Sequence, residues 1–221
     1  MAEPITLTGP SRPPLQPPVK QLIIFLHGYG ADGNDLLSLG EIYAESLPGA
    51  AFAAQDAPYP GEMGFGRQWF SLPTINLQVL AAGVASAVPI LDKYIDQQLR
   101  RFSLTERSLA LVGFSQGAMM ALSTGLRRRQ PLAGIVACSG ALADPTLPVE
   151  IRSRCPVMLV HGDADTTVPF AAMADAAQKL TALGVKTESV RRAGLGHGID
   201  PTGIAAGYRF LQQVFAFPPG Q

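Results

Sequence analysis

Short apolar runs alternate along the chain with longer stretches in which apolar residues return every three or four positions. The runs are 21–27 (QLIIFLH), 50–55 (AAFAAQ), 108–114 (SLALVGF), 133–139 (AGIVACS), 156–161 (PVMLVH) and 185–191 (VKTESVR), each of strand length. Several lack polar alternation, as expected of parallel strands covered on both faces. Helices are predicted near 35–46, 77–101, 116–129, 169–183 and 201–215. Pro89 should kink or divide the second, because its ring removes a helical hydrogen bond. Arg127–Arg129 and Pro131 suit the end of the third helix, and Lys179 followed by Gly184 the end of the fourth. Residues 9–18 are rich in proline, so 1–20 reads as an extended lead-in and 21–221 as one domain. Alternating strands and helices imply an open, mostly parallel α/β sheet with helices on both faces and no second domain.

Composition narrows the function classes. Lysines plus arginines number 17 and aspartates plus glutamates 17, so the formal charge is zero among 221 residues. No electrostatic reason remains to expect nucleic acid or an anionic membrane as partner. No stretch has the length of a membrane span, which argues against stable membrane insertion, and the N-terminus lacks the pattern of a secretory signal. A soluble, cytoplasmic protein is the expectation. Cys138 and Cys155 sit in or beside core strands, read as buried free thiols, and have no metal-site spacing. No metal cluster or cofactor motif is visible.

Two glycine-rich turns compete for attention, since ligands in such sheets gather at the carboxyl ends of strands. The first, LHGYGADGND, carries Gly28, Gly30 and Gly33 in the G-x-G-x-x-G spacing of a dinucleotide-binding turn, with Asp56 beyond it. Two features speak against a pyrophosphate. Gly33 is followed by Asn34 and Asp35, which look like helix caps, and Asp32 would set a negative charge beside the phosphates. The second turn, Gly113-Phe114-Ser115-Gln116-Gly117, is a G-x-S-x-G between a predicted strand and a predicted helix. A sharp turn there exposes the serine above a helix N-terminus, whose free N–H groups favour a developing negative charge.

A serine nucleophile needs an imidazole to take its proton and a carboxylate to hold that imidazole. With serine, acid and histidine in that chain order, His27 comes too early. His161 closes a core strand, with only Asp144 and Glu150 before it to serve as acid. His197, in the glycine-flanked loop RRAGLGHGID, remains. Of the acids between 115 and 197, Asp175 falls in a helix and Glu188 in a strand, whereas Asp163 and Asp165 follow a strand end directly. Spacing does not choose between these two.

GFSQG, HGDADTTVP, the late GHG and the early FLHGYGADGND together resemble the α/β-hydrolase fold, and more narrowly the phospholipase/carboxylesterase family that includes the acyl-protein thioesterases. The similarity runs from about residue 20 to the last helix, and RQWF, Arg67 to Phe70, shares in it. The resemblance implies Ser115 as nucleophile, Asp165 as acid and His197 as base. It also implies an oxyanion hole from the backbone N–H groups of Tyr29 and Gln116, which turns the LHGYG loop from a nucleotide site into an oxyanion site.

The implied activity is serine carboxylesterase or lysophospholipase chemistry, with acyl-protein thioesterase activity as an alternative. The implied partners are a small-molecule ester or thioester, a lysophospholipid or an acylated protein. Residues 140–155 are too few for a cap domain, so an open site is expected. The long irregular stretch 56–75 supplies Met63, Phe65, Trp69, Phe70 and Leu72 as candidates to line an acyl groove for short to medium chains on a bulky leaving group, against the simpler reading of aromatics packed on the sheet. A hydrolase-fold binding protein without chemistry is the alternative of another class. A dienelactone-hydrolase reading would want cysteine at 115.

Overall fold

The computed structural model describes residues 6–217; the first five residues of the lead-in and the last four of the chain lie outside the described residues. The elements follow in order: β1 (Ser11–Arg12), β2 (Gln21–Leu26), α1 (Gly33–Ala44), β3 (Ala50–Gln55), β4 (Tyr59–Pro60), β5 (Arg67–Gln68), α2 (Leu77–Phe102), β6 (Leu109–Phe114), α3 (Gln116–Gly125), β7 (Gly134–Cys138), α4 (Leu147–Glu150), β8 (Val157–Gly162), α5 (Ala171–Ala182), β9 (Thr187–Arg192) and α6 (Pro201–Ala216). Seven strands form one sheet in the order β1-β3-β2-β6-β7-β8-β9. All pairs are parallel except β1 with β3. The proline-rich lead-in thus supplies a short antiparallel strand that covers one edge. This is the α/β-hydrolase fold.

The lack of alternation in the central strands has a simple cause. In β2, Leu22, Ile24 and Leu26 pack into a core shared with α2, α3 and α5, while Ile23 and Phe25 pack into a second core with α1 and α6. Each such fully buried side chain contributes about 1.5–3 kcal/mol. Edge strand β9, by contrast, is at most half-buried and carries charged residues, which protects an open edge from pairing with another chain.

Two helices differ from expectation. α2 runs through Pro89 undivided. It buries Val84, Ala87, Leu91, Tyr94, Ile95 and Leu99 at helical spacing, while Pro89 and the Ala85 carbonyl it cannot reach lie on the exposed face. That carbonyl is therefore open to solvent, and the buried stripe runs on past the proline. α3 stops at Gly125 rather than 129. Arg127 donates to the Ser123 carbonyl at 3.2 Å and pairs with Asp144 and Glu150. Arg128 turns inward, 8% exposed, to Asp92 and Asp96 at 2.7 Å and Glu106 at 2.9 Å. These arginines tie α3 to α2 and to the chain after β7. Both cysteines are free and buried, and burial pushes each thiol up to about 12. No helix among the described residues is long and apolar enough to cross a membrane.

Candidate active site

Parallel strands bring their carboxyl ends to one edge, and there three segments converge. Ser115 sits between β6 and α3 with φ 54° and ψ −116°, a conformation that side chains other than glycine rarely adopt. Such backbone stores on the order of 1–3 kcal/mol and persists only where its surroundings enforce it. Here the Ser115 N–H donates to the Cys138 carbonyl at 2.9 Å. A Cβ on Gly113 would stand 2.3 Å from the Gly117 carbonyl oxygen, and one on Gly117 would stand 2.0 Å from that of Leu26. Only glycine permits this approach of strand, helix and neighbouring strand.

The second segment follows β8. Asp165 Oδ1 accepts the N–H groups of Thr167 and Val168, both at 2.9 Å, and Oδ2 lies 2.8 Å from His197 Nδ1. Burial pushes this carboxyl up, but the hydrogen bonds from His197 and from Val168 and Thr167 outweigh it and hold it below the usual carboxylate range. Asp163 points elsewhere: it accepts Arg191 Nε and the Gly194 N–H, each at 2.7 Å, anchoring the loop after β9. His161 is buried against the same turn, its Nε2–H donating to the Val168 carbonyl at 2.9 Å.

The third segment is the loop between β9 and α6. Ala164 N–H donates to the Leu195 carbonyl at 3.0 Å, and the Ser139 hydroxyl donates to that of Gly198 at 3.3 Å. The Phe114 ring packs on the imidazole with centroids 4.9 Å apart. So held, His197 places Nε2 3.0 Å from Ser115 Oγ. A carboxylate only accepts, which puts the imidazole proton on Nδ1 and the lone pair of Nε2 toward the hydroxyl. That order can draw a proton from Ser115 as its oxygen attacks.

The early glycine loop lies against this site. A Cβ on Gly28 would fall 3.3 Å from Ser115 Cβ and 3.0 Å from the Phe114 ring. Neither the Tyr29 nor the Gln116 N–H finds an acceptor among the described residues, so both are free donors there. The loop's relation to a helix is a correction. Gly33 does open α1, and Asp32, not Asn34 or Asp35, is the cap, accepting the Asn34 N–H at 2.8 Å. The Gly33 N–H donates to Asp56 Oδ1 at 2.9 Å. Two carboxylates therefore occupy the helix N-terminus that a pyrophosphate would need.

A cleft of about 470 Å³ opens beside Ser115, walled by Leu72, Ile75, Leu80, Met119, Val168 and Ala172, with Met63 at its rim. Of the five expected groove residues, Met63 and Leu72 reach it. Trp69 and Phe70 do not: they are 0% and 2% exposed and belong to the core. Trp69 is drawn inward because its indole N–H donates to the His27 carbonyl at 3.0 Å. Phe65 is 59% exposed, outside the cleft and near Gly30. Met119 on α3, and Val168 and Ala172 before and on α5, complete the wall, and which of their faces open into the cleft depends on how the two helices pack. A larger hollow of about 820 Å³ lies between the lead-in and the end of α2 and contains none of Ser115, Asp165, His197 and the residues around them. No group of side chains among the described residues has the make-up of a metal site.

Comparison with known proteins identifies the family. The family model described as Phospholipase/Carboxylesterase matches residues 14–215. The chain is 28% identical to Esterase YpfH of Escherichia coli (strain K12), over 83% of this chain and 78% of that one. It is also 28% identical to Acyl-protein thioesterase 1 of Gibberella zeae, over 86% and 89%. The crystal structure of esterase PE8 superposes with a TM-score of 0.92 at 39% identity, covering 95% of this chain and all of that one.

Proposed function

The chain belongs to the phospholipase/carboxylesterase family, and on that footing we propose that it hydrolyses carboxylic esters or thioesters through an acyl-enzyme on Ser115. The observation that carries this reading is the line Ser115 Oγ, His197 Nε2, His197 Nδ1, Asp165 Oδ2, with separations of 3.0 and 2.8 Å, at the mouth of an apolar cleft. As Ser115 Oγ attacks the carbonyl carbon, its proton passes to His197 Nε2. The carbonyl oxygen gains negative charge and accepts the N–H groups of Tyr29 and Gln116. Collapse expels the alcohol or thiol, which takes the proton from His197. Water, losing its proton to the same nitrogen, then attacks the acyl carbon; collapse frees the acid, and Ser115 Oγ takes the proton back from His197. Asp165 orients the imidazole and stabilises its charged form without taking its proton.

The cleft suits an apolar acyl chain, and the candidate leaving groups run from a small alcohol or lysophospholipid to an acylated protein. Esters and thioesters present the same carbonyl to the same donors, and relatives named esterase and acyl-protein thioesterase occur at equal identity. A fluorophosphonate probe tests the proposal. It should label the unmodified protein at Ser115 and leave Ser115→Ala unlabelled, with hydrolysis of a p-nitrophenyl ester falling at least about 1,000-fold in that variant. A Ser115→Ala protein that keeps the unmodified rate would overturn it, and an unlabelled native protein would favour a binding module.

A further inference from the structure

The RQWF stretch has no part in proton transfer, yet its hydrogen bonds reach both sides of the oxyanion site. The two free donors sit on separate segments: Tyr29 on the loop after β2, Gln116 at the start of α3. On the first side, the Gly30 N–H donates to the Arg67 carbonyl at 2.9 Å and the Arg67 N–H donates to that of Ala31 at 2.7 Å. The Trp69 indole N–H donates to the His27 carbonyl at 3.0 Å, so Tyr29 is bracketed before and after by the same segment. On the second side, the Trp69 backbone N–H donates to Gln116 Oε1 at 2.7 Å and Gln116 Nε2 donates to the Phe70 carbonyl at 2.8 Å. Gln116, Trp69 and Phe70 are each at most 2% exposed, so no water competes for these bonds.

We propose that Arg67–Phe70 braces the oxyanion hole, and that the Gln116 side-chain amide and the Trp69 indole are positioning residues that fix the separation of the Tyr29 and Gln116 N–H donors. The proposal rests on the acyl-transfer reading above. Glutamine suits the task because closing on a backbone N–H and a carbonyl together takes an acceptor and a donor side by side. Glutamate lacks the donor, methionine lacks both, and asparagine is one methylene short. His27 steadies the same corner: its Nδ1–H donates to the Gly28 carbonyl at 2.7 Å and its Nε2 accepts the Ala57 N–H at 3.0 Å. Fixed donors stabilise a developing oxyanion because no reorganisation is needed when the charge appears, whereas the ground-state carbonyl profits little. Slackening the brace should therefore weaken tetrahedral species selectively.

The test compares two affinities in one variant. A trifluoromethyl ketone adds the Ser115 oxygen to its carbonyl carbon, passing the proton to His197 and leaving a tetrahedral oxyanion in the hole. A straight-chain alcohol fills the cleft without one. In Gln116→Met, of nearly equal volume, kcat/KM and ketone affinity should fall together by about 10–100-fold, with alcohol affinity and KM within about threefold. Trp69→Phe keeps a ring in the core and deletes one N–H; it should show the same selectivity at about 3–10-fold. Leu211→Ala, in the core on the opposite face, lowers stability but should leave the ketone-to-alcohol ratio within about twofold. The proposal is overturned if the ratio stays unchanged in Gln116→Met and Trp69→Phe, or in Trp69→Phe alone should the first not fold. Failure of the unmodified protein to bind the ketone would strike the acyl-transfer reading itself, and the brace with it.

Discussion

His197 Nδ1 lies 2.8 Å from Asp165 Oδ2, while the other oxygen of that carboxylate accepts two backbone N–H groups. The carboxylate is thus clamped at one end and aimed at the imidazole with the other. This one-sided clamp sets Asp165 apart from Asp163, whose oxygens are taken by Arg191 and Gly194, and under the proposed mechanism it makes Asp165 the acid.

The clamp dictates what an isosteric change would do. In Asp165→Asn the Thr167 and Val168 N–H groups hold the remaining oxygen, so the new NH₂ must face His197 and donate to Nδ1. The imidazole proton then moves to Nε2, where it meets Ser115 and no base is left. Steady-state kinetics should show kcat/KM reduced by about 1,000- to 10,000-fold with little change in fold by circular dichroism. A loss below about tenfold would mean that another group orients the base.

The cleft offers a test of chain-length selection. Ala172 is a small, half-buried residue that α5 contributes to the cleft wall. Ala172→Phe should take up cleft volume that an acyl chain would use. On p-nitrophenyl esters, kcat/KM for an octanoate should drop by at least about tenfold, with the acetate within about threefold, as expected when a pocket loses room for several methylenes. Equal losses on both esters would place the acyl chain elsewhere.

Protonation should weaken the fold in two stages. Burial holds the His27 imidazole below its ordinary value, so the unfolded chain binds that proton first and stability declines gently as pH falls below about 6.5. Four aspartates lie below their usual range. In Asp144, bonds from Arg127 and Thr146 outweigh burial, and in Asp165 those from His197 and Val168 do so. Asp163 is held by Arg191 and Asp200 by Arg192. A depressed carboxyl stabilises the fold above its unfolded value, near about 3.9, and that contribution is lost as pH falls through the folded value. The thermal midpoint should therefore slope mildly between about pH 6.5 and 5 and drop steeply below about pH 4. A midpoint that rises on acidification from pH 5 to 3 would contradict these assignments.

Much of this protein was legible before any coordinates. Apolar runs located five of the six parallel strands to within one residue, because a strand covered on both faces cannot hide polar side chains; β9, charged and at the open edge, was placed to within two. Ser115 and His197 could be singled out because a G-x-S-x-G between strand and helix, and an unplaced histidine after it, leave few other arrangements. What spacing left open was decided by contacts between distant segments. Asp163 and Asp165 share one turn and one chemistry, and only the path of the loop after β9 gives one an imidazole and the other an arginine. Pro89 stays within α2 because its face meets water, and Trp69 left the expected groove because a carbonyl two segments away accepts its N–H. Local sequence determines periodicity and turn chemistry, which are short-range properties of the backbone. Which of two like side chains meets a given partner is a long-range matter of packing, and that was settled only when the sheet brought residues 27, 69, 116, 165 and 197 to a single edge.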